Sequence, residues 1–290
     1  MSIMTQTYLI KRQFEASASN YDNAAILQRE VCDRLISRLD YMQIAPQRIL
    51  DLGSGTGYLT RALKNKYPKA DIIGLDIAFN MAQTAKSKNG WFKKIHYTNA
   101  DCQHLPFKSL CFDLILSANT LQWCENIEYA LQECQRILKP SGLFLFSSFG
   151  PDTLKELKLS WAAADALPHV NSFLDMHDYG DMLLHHQFDE PVMDVEYLTI
   201  EYEHPKQLLK DLKMLGANNV HPERRKTLTG KSKLLKVIET YEQFKRENNS
   251  YPATYEIVYG HALKPKRQTH YQGGTLTIPL ESTGLITNKD

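Results

Sequence analysis

The chain of 290 residues carries a net charge of +1, with 43% hydrophobic and 23% charged residues, as is ordinary for a globular protein. This balance argues against a wholly basic nucleic-acid-binding protein, and no apolar run is long enough to span a bilayer, so neither nucleic acid nor membrane is expected as a partner. Five cysteines without a Cys-x-x-Cys pair, and no apolar signal region over 1–20, predict a cytoplasmic protein with reduced thiols.

Residues 1–45 are predicted to form an N-terminal helical segment that folds over a ligand as a lid. Residues 1–20 are polar and are expected to be loose. Apolar residues at helical spacing predict a helix over 21–39. Pro46 then interrupts the chain before the first strand.

Strands and helices alternate over 46–150, which is predicted to be the cofactor-binding core. Apolar runs predict strands that end at Asp51 and at Asp76 and strands at 95–97, 112–117 and 143–149, and helical patterns are present at 58–66, 80–88 and 127–138. Continuously apolar strands separated by helices predict a parallel sheet covered on both faces. In such a sheet the ligand lies beyond the carboxyl ends of the strands.

The second half, 151–264, is predicted to add substrate-side helices and the last strands of the same sheet. Helices are expected over 151–166, 179–186, 206–215 and 231–245, and strands over 192–202 and 254–262. The fold class is therefore α/β, a doubly wound, mostly parallel seven-stranded Rossmann-like sheet. Residues 265–290 are expected to form a polar, partly disordered tail.

The run Asp-Leu-Gly-Ser-Gly-Thr-Gly at 51–57 indicates which kind of ligand this core binds. Gly53, Gly55 and Gly57 predict a tight turn that a ligand can approach closely. A dinucleotide site requires the spacing G-x-G-x-x-G, whereas Tyr58 occupies the place of the third glycine, and the lysine of a Walker motif is absent. Asp51 before the turn would oppose a diphosphate but suit a cation. The run favours S-adenosylmethionine, which carries positive charge and no phosphate.

Polar residues follow four successive predicted strands and complete the predicted cofactor site. Asp51 follows the first strand and Asp76 the second, where it can accept hydrogen bonds from ribose hydroxyls. Asp101, with Cys102 beside it, can accept a hydrogen bond from the adenine amino group. Asn119 lies at the exit of the fourth strand. Turn formation or helix capping is the alternative explanation for each of these polar residues.

These residues resemble the motifs of class I S-adenosylmethionine-dependent methyltransferases, over 51–57, 99–107, 112–115 and 138–142. The segments 21–29, 119–124, 149–157, 169–173 and 251–260 are similar to the malonyl-[acyl-carrier protein] O-methyltransferases of biotin synthesis. The resemblance implies methyl transfer to the free carboxylate of a malonyl thioester on acyl carrier protein or coenzyme A. The product would be the malonyl methyl ester that primes pimeloyl synthesis.

Three alternatives remain open at this point. The mitochondrial complex I assembly proteins that hydroxylate an arginine share several of these segments. A methyltransferase for another small acid or a quinone precursor would use the same cofactor. A non-catalytic cofactor-binding scaffold is the third alternative, and the full set of predicted site residues disfavours it.

The implied reaction requires neither a general base nor a metal. A malonyl carboxylate is ionised at neutral pH, because carboxyl pKa values lie near 4. Catalysis is therefore expected to rest on alignment and desolvation of the nucleophile. Tyr21 is the preferred positioning residue near the methyl group, with a simple aromatic packing role as the alternative.

Several polar and basic side chains are candidates for contact with the substrate or its carrier. Gln122 and Trp123 are predicted to line the substrate pocket, and Lys213 is a weaker candidate for contact with its carboxylate. Arg224, Arg225 and Lys233 belong to a basic stretch that is expected to steer the docking of an acidic carrier protein. A solvated helix face would explain the same charges.

Overall fold

The computed structural model describes residues 6–90, 94–217, 219–220, 224, 230–266, 270–272 and 275–277. Its helices are α1 (Gln6–Ser17), α2 (Tyr21–Ala24), α3 (Ile26–Arg38), α4 (Tyr58–Lys66), α5 (Phe79–Ser87), α6 (Ile127–Ile137), α7 (Lys155–Ala162), α8 (Met176–His185), α9 (Pro205–Met214) and α10 (Lys231–Tyr241). Its strands are β1 (Arg48–Leu52), β2 (Asp71–Asp76), β3 (Ile95–Asn99), β4 (Phe112–Ala118), β5 (Leu138–Phe149), β6 (Asp189–Tyr202), β7 (Tyr251–Leu263), β8 (His270–Gln272) and β9 (Thr275–Thr277).

Seven strands form one sheet in the order β3-β2-β1-β4-β5-β7-β6, which confirms the predicted fold class. The five strands of the core pair in parallel, and β7 runs antiparallel to both of its neighbours. The strand order reverses between β1 and β4. Crossover connections diverge at such a point and leave a crevice beyond the carboxyl ends of these two strands.

Both faces of the sheet are buried, and β1 shows why its sequence is apolar without alternation. Ile49 packs on one face with Leu35 of α3 and Leu63 of α4. The next residue, Leu50, packs on the other face with Leu131 of α6. Successive side chains of a strand point to opposite faces, so a strand covered by helices on both sides needs an apolar residue at every position.

The N-terminal segment differs from the prediction. Residues 1–20 were expected to be loose, yet α1 spans Gln6–Ser17, because Ile10 and Phe14 lie one helical turn apart and pack inward. The single helix expected over 21–39 is interrupted at Ala25, whose φ of −82° and ψ of 40° leave the helical region. From residue 6 to residue 45, the segment therefore contains three short α-helices and a 3-10 turn at Leu39–Tyr41.

The second half follows the prediction with shifted boundaries. The helix expected from residue 151 begins only at Lys155, because Leu154 adopts a left-handed conformation with φ of +58°. Helix α8 begins earlier than expected, behind a capping box formed by Asp175 and Asp178. Within the expected tail, β8 and β9 pair as an antiparallel hairpin, and the rest of that prediction lies outside the described residues except for 265–266.

The division into regions ending at residues 45, 150 and 264 stays a prediction. In the part of the chain that the structure describes, no helix combines the length and the apolar character needed to cross a membrane.

Candidate active site

A cavity lies at the crevice between the carboxyl ends of β1, β2, β3 and β4. The strand-end residues in its wall are Gly53, Gly55, Asp76, Asp101, Cys102 and Asn119. The structure thus brings together six of the eight residues that were predicted to bind the cofactor. The parallel strands end at one edge of the sheet, so side chains that are far apart in sequence meet there.

The glycine turn is fastened to the end of β2 through main-chain hydrogen bonds. The N–H groups of Gly53 and Ser54 donate to the carbonyl oxygen of Leu75 at 2.7 and 2.9 Å. The N–H of Gly55 donates to Oδ2 of Asp76 at 2.8 Å, and the N–H of Ala78 donates to Oδ1 at 2.8 Å. Asp76 therefore holds both the turn and the start of α5, while its carboxylate still lines the cavity.

Asp51 does not line this cavity, and its contact with the cofactor stays a prediction. Its side chain is 1% exposed and accepts a short hydrogen bond from the Thr60 hydroxyl of α4. Burial raises the pKa of the Asp51 carboxyl to about 7, although the Thr60 hydrogen bond lowers it in part. The carboxylate lies behind the glycine turn, because α4 packs over β1 and directs Thr60 towards it.

Replacing Asp51 with asparagine is expected to stabilise the protein most at neutral and alkaline pH. The pKa of Asp51 is about 7 in the folded chain and about 4 in an unfolded one. The folded state therefore loses stability as the pH rises from about 4 to about 7. Asparagine is not ionised, so the variant does not lose this stability. The difference in melting temperature between Asp51→Asn and wild type should therefore grow from about pH 4 to about pH 7 and then level off. A pH-independent difference in melting temperature between wild type and Asp51→Asn would contradict this assignment.

Gly57 also lies outside the cavity wall. A Cβ atom at Gly57 would lie 2.5 Å from the hydroxyl oxygen of Tyr97 and 2.9 Å from Cβ of Ala85. Its φ of +80° is a conformation that glycine adopts without strain. Gly57 is therefore needed for the close approach of α4 to its neighbours, and its contact with the cofactor stays a prediction.

The side-chain amide of Asn119 has a hydrogen-bond donor that the fold leaves unused. It adopts a left-handed conformation, with φ of +50°, and its Oδ1 accepts a hydrogen bond from Ser147 at 3.2 Å. Its Nδ2 is buried and makes no hydrogen bond with the residues that the structure describes. Buried amide groups normally have partners, so this donor indicates a ligand in the cavity.

The N-terminal segment forms the opposite wall of the cavity, and sequence reasoning identified only one of its residues there. Thr7, Ile10 and Phe14 of α1 line the cavity together with the predicted Tyr21. Two contacts hold this wall in place. Glu15 accepts hydrogen bonds from the main chain at the start of α5, and Asp22 accepts one from Thr56 at 2.6 Å. The helical spacing of Ile10 and Phe14 was the available sequence signal.

Tyr21 places its hydroxyl group in this wall. Burial raises the pKa of the Tyr21 hydroxyl well above its ordinary value, and nearby acidic groups raise it further. The hydroxyl therefore stays protonated at neutral pH. This state suits a positioning role and excludes a role as general base.

A second cavity adjoins the first. Apolar residues dominate its wall, among them Leu157, Val170, Phe173 and Ile200. The predicted substrate residue Trp123 lines both cavities, whereas Gln122 lines the first only. The amide of Gln122 is held at both ends, because its Nε2 donates to the carbonyl of Asn119 and its Oε1 accepts from Ser148.

The basic residues that were proposed for substrate or carrier contact lie elsewhere. Lys213 is exposed and lines an outer groove between α1 and α9 rather than either cavity, and its contact with the substrate stays a prediction. Lys233 forms an ion pair with Asp165 at 2.8 Å, so its charge is already neutralised in part. Arg224 is half-buried, and Arg225 lies outside the described residues. Docking of a carrier at these residues stays a prediction.

The chemistry of the first cavity selects among nucleoside cofactors. Its described wall contains the carboxylates of Asp76 and Asp101 and no lysine or arginine side chain. Such a wall fits a ligand with positive charge and hydroxyl or amino donors, and it does not fit a diphosphate. Among the described residues, no cluster of three or more histidine, cysteine or acidic side chains could hold a metal ion.

Comparison with known proteins identifies the family. A family model described as "Methyltransferase domain" matches residues 50–146. The malonyl-[acyl-carrier protein] O-methyltransferase of Gallionella capsiferriformans is 44% identical, over 92% of this chain and 94% of its own. The protein of the same name from Legionella pneumophila is 40% identical, over 96% and 98%. The chain belongs to the malonyl-[acyl-carrier protein] O-methyltransferase family.

Solved structures place this family member within the methyltransferase fold. The YcgJ protein of Bacillus subtilis superposes with a TM-score of 0.58 at 18% identity and covers 81% of this chain and 99% of its own. A phosphoethanolamine N-methyltransferase from Haemonchus contortus gives 0.52 at 15% identity, over 91% of this chain and 61% of its own. At these identities the likeness concerns the fold alone.

Proposed function

We propose that this enzyme transfers a methyl group from S-adenosylmethionine to the free carboxylate of a malonyl thioester carried by acyl carrier protein. The observation that carries the proposal is the junction of two cavities in a member of this family. One cavity has the carboxylates of Asp76 and Asp101 in its wall and suits a cationic nucleoside, and the other has one carboxylate among mainly apolar residues and suits an acyl chain. Malonyl coenzyme A is an alternative carrier of the same acyl group.

The residues of the first cavity account for binding of the cofactor. Asp76 offers acceptor oxygens to ribose hydroxyls, and Asp101 offers them to the adenine amino group, while its Oδ1 is fixed by the N–H of Gln103 at 2.9 Å. Asn119 offers its unpartnered Nδ2. When bound, S-adenosylmethionine supplies a methyl group on a positively charged sulfur, which leaves as a neutral thioether.

The chain has to align the acceptor and keep water out, because the carboxylate is already a nucleophile. Helix α1 covers the cavity through Ile10 and Phe14, and the Phe14 ring meets Trp123 edge to face at 5.3 Å. Tyr21 donates a hydrogen bond near the reacting groups. No residue is required to accept a proton, which agrees with the raised pKa of the Tyr21 hydroxyl.

The relatives favour this reaction over arginine hydroxylation and over methylation of another small acid or a quinone precursor. A cytoplasmic location belongs to the same proposal, because all five cysteines are free thiols. The methyl donor is the one cofactor that we propose, without a metal.

Mass spectrometry of malonyl-acyl carrier protein, after incubation with the enzyme and S-adenosylmethionine, tests the proposal. We expect the malonyl group to gain one methyl group. Acetyl-acyl carrier protein, which has no free carboxylate, should remain unchanged. Binding of S-adenosylmethionine without methylation of the malonyl group would refute the proposal, and a gain of oxygen on a protein arginine would favour the hydroxylase alternative.

A further inference from the structure

The two cavities share a short stretch of wall, through which an acceptor must pass to reach the cofactor. Five residues line both cavities: Gln28, Trp123, Phe149, Leu215 and Ala217. They come from α3, from the turn after β4, from the end of β5 and from the segment after α9. Residues so distant in sequence meet only in the folded chain.

Gln28 and Trp123 are the polar members of this shared wall, and both are uncharged N–H donors. An ionised carboxylate removed from water needs hydrogen-bond donors. The second cavity contains a carboxylate of its own, Asp211, which interacts with the Tyr202 hydroxyl. This negative charge disfavours a free carboxylate inside the second cavity, so the acceptor carboxylate is better accommodated at the shared wall.

The side chain of Gln28 is not used by the fold. Its Oε1 is buried without a partner, and its Nε2 donates no hydrogen bond to any residue that the structure describes, so the N–H donor remains available to a ligand at the shared wall. Gln122, the other glutamine amide near this junction, is held at both ends by Asn119 and Ser148. Of the two polar atoms of Gln28, only the Nε2 donor can bind a carboxylate, because Oε1 is itself an acceptor.

We propose that Gln28, beside Trp123, binds the free carboxylate of the acceptor and makes the enzyme specific for an acidic acyl group. The acyl chain then extends into the second cavity. This inference rests on the proposed function for the identity of the acceptor. A neutral amide fixes the orientation of the carboxylate and leaves its negative charge on the attacking oxygen, whereas an arginine would form an ion pair and reduce its nucleophilicity.

The test compares binding of malonyl- and propionyl-acyl carrier protein in the presence of S-adenosylhomocysteine. The two acyl groups have the same chain length, and only malonyl has a carboxylate. We expect wild type to prefer malonyl, and Gln28→Ala to reduce that preference about 10- to 100-fold, as for a lost hydrogen bond to a charged group. Gln28→Glu should reduce the preference for malonyl further, because the new carboxylate would repel the carboxylate of the malonyl group. Binding of propionyl-acyl carrier protein and of the methyl donor should change less than about threefold.

Gln13→Ala is the matched control. Gln13 also has a buried Oε1 without a partner, but it lines the outer groove and neither cavity, so this variant should retain the wild-type preference. An unchanged preference in Gln28→Ala would overturn the inference, as would an equal loss of malonyl and propionyl binding, which a purely structural role would produce. The methylation assay on wild type decides the proposed function separately, because the binding preference can be measured without turnover.

Discussion

Replacing Asp76 with asparagine is expected to weaken binding of S-adenosylmethionine about 10- to 100-fold, the effect of losing one or two hydrogen bonds to a charged group. The two carboxylate oxygens of Asp76 accept separate hydrogen bonds from the N–H groups of Gly55 and Ala78. Asparagine has one acceptor oxygen, so one of these N–H groups would face an amide donor. The glycine turn or the start of α5 would then shift, and the acceptor for the ribose would be weaker. Isothermal titration calorimetry measures the affinity directly.

The same residue should make the affinity depend on pH. Burial raises the pKa of Asp76 to about 6, although the N–H groups of Ala78 and Gly55 lower it in part. Its pKa exceeds that of an unfolded chain, so its contribution to folding stability is present at low pH and is lost as the pH rises from about 4 to about 6. A ligand with positive charge and hydroxyl donors favours the ionised form. Binding should therefore strengthen from pH 5 to pH 7 with release of a proton.

Asp51 titrates near the same range, so the measurement is best made in the Asp51→Asn background. There, the pH dependence of cofactor binding should disappear when Asp76→Asn is added. Titrations in buffers of different ionisation enthalpy report the number of protons released. An affinity that does not change between pH 5 and pH 7 in the Asp51→Asn protein would show that Asp76 does not contact the ligand.

Replacing Gly53 with alanine is expected to lower the melting temperature by several degrees and to reduce cofactor affinity more than about 100-fold. The new Cβ would lie 2.0, 2.4 and 2.7 Å from Oγ1, Cγ2 and Cβ of Thr120. A rotation of the Thr120 side chain cannot remove the last of these contacts, so the main chain of the turn has to move. The φ of +79° adds strain of about 1–2 kcal/mol for an L-residue. Thermal denaturation and titration calorimetry measure the two effects.

Gly55→Ala is the control for this experiment. Gly55 also has a positive φ, of +51°, but among the described residues, apart from its own chain neighbours, no atom lies within 4 Å of its added Cβ. We expect a melting temperature closer to wild type, because the added Cβ meets none of these protein atoms and only the strain of the positive φ remains. We expect a loss of cofactor affinity of about 10-fold or less, because the Cβ would lie in the cavity wall. Thr120→Gly should restore part of the stability of Gly53→Ala. Equal stability losses in both alanine variants, or no rescue, would contradict the contact with Thr120.

Gln28 and the residues of α1 show what the sequence could not provide. Thr7, Ile10, Phe14 and Gln28 line the cavity. The spacing of Ile10 and Phe14 indicates a helix, and Gln28 lies in the segment 21–29, but neither signal shows that these side chains reach the cofactor cavity. Their position depends on packing of the N-terminal helices across the sheet edge, through contacts such as Asp22 with Thr56 and Phe14 with Trp123. The partners in these contacts are far apart in sequence, so no periodicity or spacing reveals them.

The sequence by itself determined the parallel sheet, because strands buried on both faces must be continuously apolar, as Ile49 and Leu50 are. It also determined that Asp76, Asp101 and Asn119 meet, because the carboxyl ends of neighbouring parallel strands share one edge. Only the tertiary structure decided which way each side chain points. Thr60 holds Asp51 behind the turn, Tyr97 packs where a side chain at Gly57 would be, and Lys213 faces the outside of α9. Side-chain direction depends on how helices pack on the sheet, and strand-end chemistry carries no information about that packing.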